Sequence, residues 1–280
     1  MGIRIITDST SDISKEQAEQ MNITVVPLKV IFGEKEYREG TDITIDGFYE
    51  KLVKADKLPT TSQPAPDDFL KHFKEGKAAG DSLIVILIAA KLSGTYQSAV
   101  IAKEMADYDN IHIIDSSTTT TALRILVEQA VKLREEGAGA EEIAAKLNSI
   151  KDRIVLLAMV DTLEFLHKGG RLSKSSAILG TLLRFKPIIT LKDGALGVLG
   201  KERGVHKAIA HIIEAMDKSG KIDRNYPVHL GYTAQDDKCI MLKNKISEKY
   251  DINDMRMYPV GCVVGTHAGP GACVVTYVRK

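Results

Sequence analysis

Three hydroxyl-rich stretches in the first half of the chain stand where helices are expected to begin. They are Thr7-Asp8-Ser9-Thr10-Ser11-Asp12, Lys91-Leu92-Ser93-Gly94-Thr95-Tyr96 and Asp115-Ser116-Ser117-Thr118-Thr119-Thr120. The first N–H groups of a helix lack intrahelical partners and carry partial positive charge, which suits a carboxylate or a phosphate. Ser93-Gly94 is the sharpest of the three. Its hydroxyl can donate to an anion, and its glycine lets the backbone come close. Plain N-capping by Ser and Thr accounts for any one of these loops more simply; for all three together the two readings stand level.

Other stretches carry related chemistry. In LPTTSQPAP (58–66), Pro59, Pro64 and Pro66 stiffen a segment that holds Thr60, Thr61 and Ser62, so the hydroxyls can be pre-positioned. The same residues also read as an ordinary turn ahead of a helix. Gly265-Thr266-His267-Ala268-Gly269-Pro270-Gly271 sets three glycines around one histidine. An imidazole there can donate to a carboxylate, or simply face solvent from a hairpin loop. Arg171 and Arg203 sit in glycine-flanked segments and suit an anion, a partner protein or water.

Several enzyme classes fail on spacing. DSTSD lacks the Asp-x-Asp pair expected of an aspartyl-phosphate enzyme. No G-x-S-x-G elbow makes Ser93 a hydrolase nucleophile, and neither G-x-G-x-x-G after the first strand nor GxxxxGK[ST] is present. The seven histidines form no H-x-x-x-H pair and have no cysteine partners, so nothing points to a metal. An anion site without evident catalytic machinery remains, which favours a binder.

The elements that position these residues fall into two rhythms. Short β-branched runs alternate with amphipathic segments up to about residue 150, and LIVILIAA (83–90) is the continuous apolar run of a strand buried on both faces. That alternation predicts a doubly wound, mostly parallel sheet, whose ligands bind beyond the carboxyl ends of its strands. Beyond that, strands near 154–160, 187–191, 195–200 and 228–232, with two more at the end, predict a mixed, largely antiparallel sheet covered by helices. Asp193-Gly194 marks a hairpin, and the last two strands are expected to pair across the glycine loop at His267. The fold class is therefore α/β in two domains, 1–155 and 156–280. A chain of 280 residues suffices for both cores. A net charge near +1 gives no reason to expect nucleic acid or an anionic membrane. Three cysteines without a CxxC, no secretory leader pattern and no run of about 18 apolar residues indicate a cytoplasmic protein with reduced thiols.

Six stretches in order carry a resemblance over essentially the whole chain: IITDSTSDIS, LPTTSQPAPDDF, LSGTYQSA, GGRLSK, FKPIITLKDG and GTHAGPG. With them the sequence resembles the DegV family. The resemblance implies a non-catalytic lipid-binding protein that holds one long-chain fatty acid in a tunnel between two domains, with no cofactor beyond that ligand. It also implies a partner: an ATP-dependent fatty acid kinase subunit that phosphorylates the presented carboxylate to an acyl phosphate for phospholipid metabolism. Carried over by motif, Thr61, Ser93 and His267 contact the carboxylate, and Gly94 completes the cradle. Arg171, Arg203 and Gly269 are secondary or partner-facing. Phe185-Lys186-Pro187 in place of Ile-Lys-Pro, and Val274 where a further glycine is common, depart from the family pattern and bear on tunnel width or partner fit. Two other classes compete: an autonomous hydrolase or phosphotransferase using Ser93 and His267, and a module recognising another small anion.

Overall fold

The computed structural model describes residues 2–172, 185–252 and 254–280. Three sheets organise them. The first contains β1 (Ile3–Asp8), β2 (Ile23–Val26), β6 (Ser82–Leu87) and β7 (Ile111–Asp115), in the order β2-β1-β6-β7. All its pairings are parallel. The second is small and antiparallel, with β3 (Lys29–Phe32) between β4 (Lys35–Arg38) and β5 (Thr60–Ser62). The third takes β8 (Ile154–Met159), β9 (Phe185–Lys192), β10 (Ala195–Arg203), β11 (Val228–Tyr232), β12 (Met255–Pro259) and β13 (Cys273–Val278), in the order β10-β9-β8-β13-β11-β12. Only the β11–β12 pairing in it is parallel.

Helices cover the sheets. Those of the first half are α1 (Lys15–Gln20), α2 (Ile45–Lys54), α3 (Pro66–Ala79), α4 (Thr95–Ala106), α5 (Thr120–Glu135) and α6 (Ala140–Lys151). The rest are α7 (Glu164–Lys168), α8 (Val205–Lys218), α9 (Asp237–Lys249) and α10 (Cys262–Ala268). β6 shows why its sequence is apolar throughout. Ile84 and Ile86 face a core with Leu123, Leu126 and Val127 of α5. Leu83, Val85 and Leu87 point the other way, to Phe69 and Phe73 of α3 and Ala99 of α4. Two-residue alternation with a helix on each side leaves no position for a polar side chain. In the third sheet, α8 and α9 bury Ile209, Ile212, Leu242 and Ile246 against Val228, Leu230 and Val275. The expected α/β fold, with a parallel sheet and a mixed, largely antiparallel sheet covered by helices, is thus the one found, and the Asp193-Gly194 turn does join β9 to β10.

The C-terminal pairing differs from expectation. β12 and β13 are not a hairpin: β12 lies parallel to β11, and β13 inserts between β8 and β11. The segment expected as a glycine loop is largely helical, since residues 262–268 form α10. Antiparallel neighbours can be joined by a two-residue turn, whereas strands separated by another strand need a longer connection. Here α10 provides it. Among the described residues the three cysteines are buried and free, and no helix is long and apolar enough to cross a membrane.

Candidate functional site

β1 and β6 lie where the strand order of the first sheet reverses, and their carboxyl ends are tied together by Asp8, which accepts from the Ile88 N–H at 2.8 Å. Beyond that edge the chain turns back through Ala89, whose carbonyl accepts from the N–H groups of Leu92 and Ser93 at 2.9 and 3.2 Å. This compact turn sets Ser93 ahead of α4. Facing it is the third sheet, and between them lies a mainly apolar cavity of about 360 Å³. Ile88 and Leu92 line it on one side, and Leu156, Ala158, Val160 and Ile189 on the other. α10 runs along its length, contributing Val263, Val264 and His267. A volume of this size lies within the range of ligand pockets.

Polar groups interrupt the apolar lining, among them Thr61, Ser93, Arg171 and His267, with Thr119, Thr120 and Thr233 as further hydroxyls. Edge pairing of β5 with β3 places Thr61 opposite Val30, and its Oγ1 lies 2.9 Å from His267 Nε2. The Ser93 hydroxyl lies 2.8 Å from Thr95 Oγ1 and accepts from the Thr95 N–H at 3.3 Å. Arg171 donates from Nε to the Leu92 carbonyl at 3.1 Å and from Nη1 to the Gly169 carbonyl at 2.7 Å. Thr61, Ser93, Arg171 and His267 therefore line one cavity, although they come from positions far apart in the chain.

Two glycines fix close approaches there. A β-carbon at Gly94 would stand 2.0 Å from Gln63 Oε1, and Gln63 is itself held by donating from Nε2 to Ser98 Oγ at 3.0 Å. A β-carbon at Gly169 would stand 2.1 Å from His267 Nδ1. Burial, reinforced by the Arg171 charge, pushes His267 down to about 4, because an imidazolium loses hydration that nothing replaces. The ring is thus neutral at pH 7. Its Nδ1 is buried without a hydrogen-bond partner. Hydroxyls, a neutral imidazole and a guanidinium together offer donors to an oxyanion, with apolar walls behind.

The remaining sequence candidates stand elsewhere. Gly269 ends α10 with φ +73°, packed so that a β-carbon would meet Phe165 at 2.4 Å; it shapes the helix end and does not line the cavity. Arg203 is exposed at the end of β10, also away from the lining. GGRLSK continues past Leu172 into Ser173 and Lys174, and Arg184 precedes Phe185; these three lie outside the described residues. Three further residues support these groups: Gln63 joins the lining, Thr95 pairs with Ser93, and Gly169 packs against His267. Gln63 carries a weak signal, two residues after Thr61 in a proline-stiffened segment, and Thr95 one in a hydroxyl two residues after Ser93.

Comparison with known proteins gives a consistent result. The family profile described as "Uncharacterised protein, DegV family" matches residues 2–280. A DegV domain-containing protein of Caldanaerobacter subterraneus subsp. tengcongensis is 38% identical, over 99% of both chains. Among solved structures, a fatty-acid-binding DegV family protein from Thermus thermophilus has a TM-score of 0.91 at 31% identity, covering 99% of this chain and 100% of that one. A stearic-acid-binding protein from Eubacterium ventriosum has a TM-score of 0.90 at 31% identity, covering 100% of this chain and 99% of its own. With the profile match spanning 2–280 and relatives aligned along their full length, the chain belongs to the DegV family.

Proposed function

We propose that the protein binds one long-chain fatty acid in a tunnel formed by this cavity. Its carboxylate sits among Thr61, Ser93 and His267, with the Gly94 backbone completing the cradle, and its tail lies between the two sheets. The domains are 1–155 and 156–280, and the tunnel runs between them. The observation that carries the reading is a mainly apolar cavity whose lining includes a neutral imidazole paired with Thr61, the Ser93 hydroxyl and the Arg171 guanidinium. Each buried methylene contributes roughly 0.8 kcal/mol, so a long tail supplies on the order of 10 kcal/mol before entropy losses. A carboxylate costs several kcal/mol to bury without donors, and the cradle offsets that cost. The fatty-acid-binding relatives of like fold support the same ligand class.

The protein acts without catalysing, in the cytoplasm, and presents the carboxylate to a separate ATP-dependent kinase subunit that forms the acyl phosphate for phospholipid metabolism. Arg171 and Arg203 serve the entrance or the partner-facing surface, whereas the buried Gly269 acts only through the turn that ends α10. A Ser93 nucleophile served by His267 fits less well: the Ser93 hydroxyl pairs with Thr95, while His267 pairs with Thr61. Native mass spectrometry of the purified protein, followed by lipid extraction, tests the ligand. One stoichiometric fatty acid is expected, and an empty protein that also refuses added oleate and palmitate overturns the reading. Calorimetric titration of the delipidated protein tests the cradle. Ser93→Ala and Thr61→Ala should each weaken binding about tenfold, the loss of one hydrogen bond to a charged group; unchanged affinity in both would remove those residues from it.

A further inference from the structure

His267 reaches the cavity from the far end of a short helix, and the near end of that helix is held by groups that never touch the cradle. α10 starts at Gly261, which has no side chain to cap it, so the unpaired N–H groups of its first turn need acceptors from elsewhere. Asp12 Oδ1 accepts from the Gly261 N–H at 2.8 Å, and Glu39 Oε1 accepts from the Val263 N–H at 2.9 Å. The Tyr49 hydroxyl donates to the Val260 carbonyl at 2.9 Å. These contacts bridge 249, 224 and 211 residues of sequence. They join the α10 end to the turn after β1, the segment after β4, and α2.

The fit leaves no slack. A β-carbon at Gly261 would stand 2.4 Å from Glu39 Oε1, and one at Gly265 would stand 2.4 Å from the Tyr49 hydroxyl. Asp12 is fixed in turn: Thr120 Oγ1 donates to its Oδ2, and Arg124 Nη1 donates to its carbonyl at 3.0 Å. The Glu39 N–H donates to the Leu28 carbonyl at 2.9 Å. Glu39 Oε2 closes no hydrogen bond of its own, although the Ser9 hydroxyl lies beside the carboxyl group. From Gly261 to His267 is six residues, about 9 Å along a helix axis. At the far end the imidazole is confined between Thr61 and Gly169. A helix this short moves as a rod. A shift of about 1 Å at its start carries Nε2 out of hydrogen-bonding range of Thr61.

We propose that Asp12 and Glu39 are positioning residues for the carboxylate cradle: by holding the start of α10 they set where His267 stands. The inference rests on the fatty-acid reading above. It differs from a merely structural role in one respect. Misplacing His267 weakens recognition of the carboxylate, whereas the apolar walls and their grip on the tail remain.

The test measures the affinities of the delipidated full-length protein for laurate and for 1-dodecanol, which share a tail and differ in the head. Asp12→Ala and Glu39→Ala should weaken laurate binding about tenfold, equivalent to about 1.4 kcal/mol and within the range for a lost helix cap. Dodecanol affinity should change less than about twofold. Glu39→Gln retains an oxygen acceptor for the Val263 N–H and should restore laurate binding. Parallel losses for acid and alcohol, or no loss in folded variants, would overturn the proposal. Should the alanine variants fail to fold, Tyr49→Phe removes only the hydroxyl at the same helix end. The laurate-to-dodecanol affinity ratio then decides: a lowered ratio supports the proposal, and an unchanged ratio overturns it. A wild-type protein that binds neither ligand would instead remove the fatty-acid reading itself.

Discussion

Glu39 and His267 sit at opposite ends of α10 and titrate in opposite senses. Burial pushes Asp12 up to about 7 and Glu39 up to about 8, with the Asp8 charge adding to the first shift and the Asp12 charge to the second. The folded protein therefore keeps protons that the unfolded chain releases near pH 4. A carboxyl raised in this way contributes stability that is present below its unfolded value and is lost as pH rises through 7 to 8. His267 behaves in reverse: held down at about 4, it contributes stability above pH 6.5 that is lost as pH falls through 4. Glu39→Gln removes one carboxyl titration and leaves the His267 contribution in place. Between pH 4.5 and 8, wild-type stability should fall relative to the Gln variant by an amount on the order of 3 kcal/mol. Denaturant melts across that range measure it. Parallel curves for the two proteins would mean that Glu39 ionises as an ordinary surface carboxylate does.

At the scale of elements, local pattern was legible wherever it agreed with the final neighbours. The Asp193-Gly194 hairpin, the doubly buried β6 and the helix following Gly94 all follow from spacing and turn chemistry. α10 does not. Cys262-Val263-Val264 reads as a strand entering a glycine turn, since β-branched residues favour strands and glycines weaken helices. Acceptors from Asp12 and Glu39 reverse that preference, and no window of sequence around residue 262 contains them. β5 escaped for a related reason: three residues beside prolines carry no period, and only β3 makes them a strand. The candidate residues fared better, because Thr61, Ser93, Arg171 and His267 line one cavity; the contacts that orient them were invisible. Gly269 shows what such a contact demands. With φ +73° and ψ 173° it occupies a region open essentially to glycine alone, and Phe165 fills the space where a β-carbon would go. Gly269→Ala should destabilise the protein by about 2 kcal/mol, from backbone strain of 1–3 kcal/mol with displacement of the Phe165 ring in addition. A lowered denaturant midpoint at unchanged slope is the expected signature, and an unaltered midpoint would show that the turn accepts a side chain.

For the whole molecule, the third sheet forms one wall of the apolar cavity, so its length and width depend on residues that belong to neither loop of the cradle. Ala158 is the informative one. It lies on the central part of β8, paired with Ile189 of β9 and Val274 of β13, and it lines the cavity with a methyl group where neighbouring positions carry Leu156 and Val160. Interiors pack close to crystal density, so in the fatty-acid reading proposed above this space takes the tail. Filling it from the wall should shorten that occupant without touching its head. Ala158→Phe adds a ring in the path of the tail while leaving Thr61, Ser93 and His267 in place. The affinity for palmitate should fall at least tenfold, because several methylenes worth about 0.8 kcal/mol each lose their place, while the affinity for octanoate should change little. Displacement of a fluorescent fatty acid by acids of graded length reads both. Equal losses for long and short acids would mean that the ring disturbs the cradle through β8, and unchanged affinity for both would route the tail away from this wall.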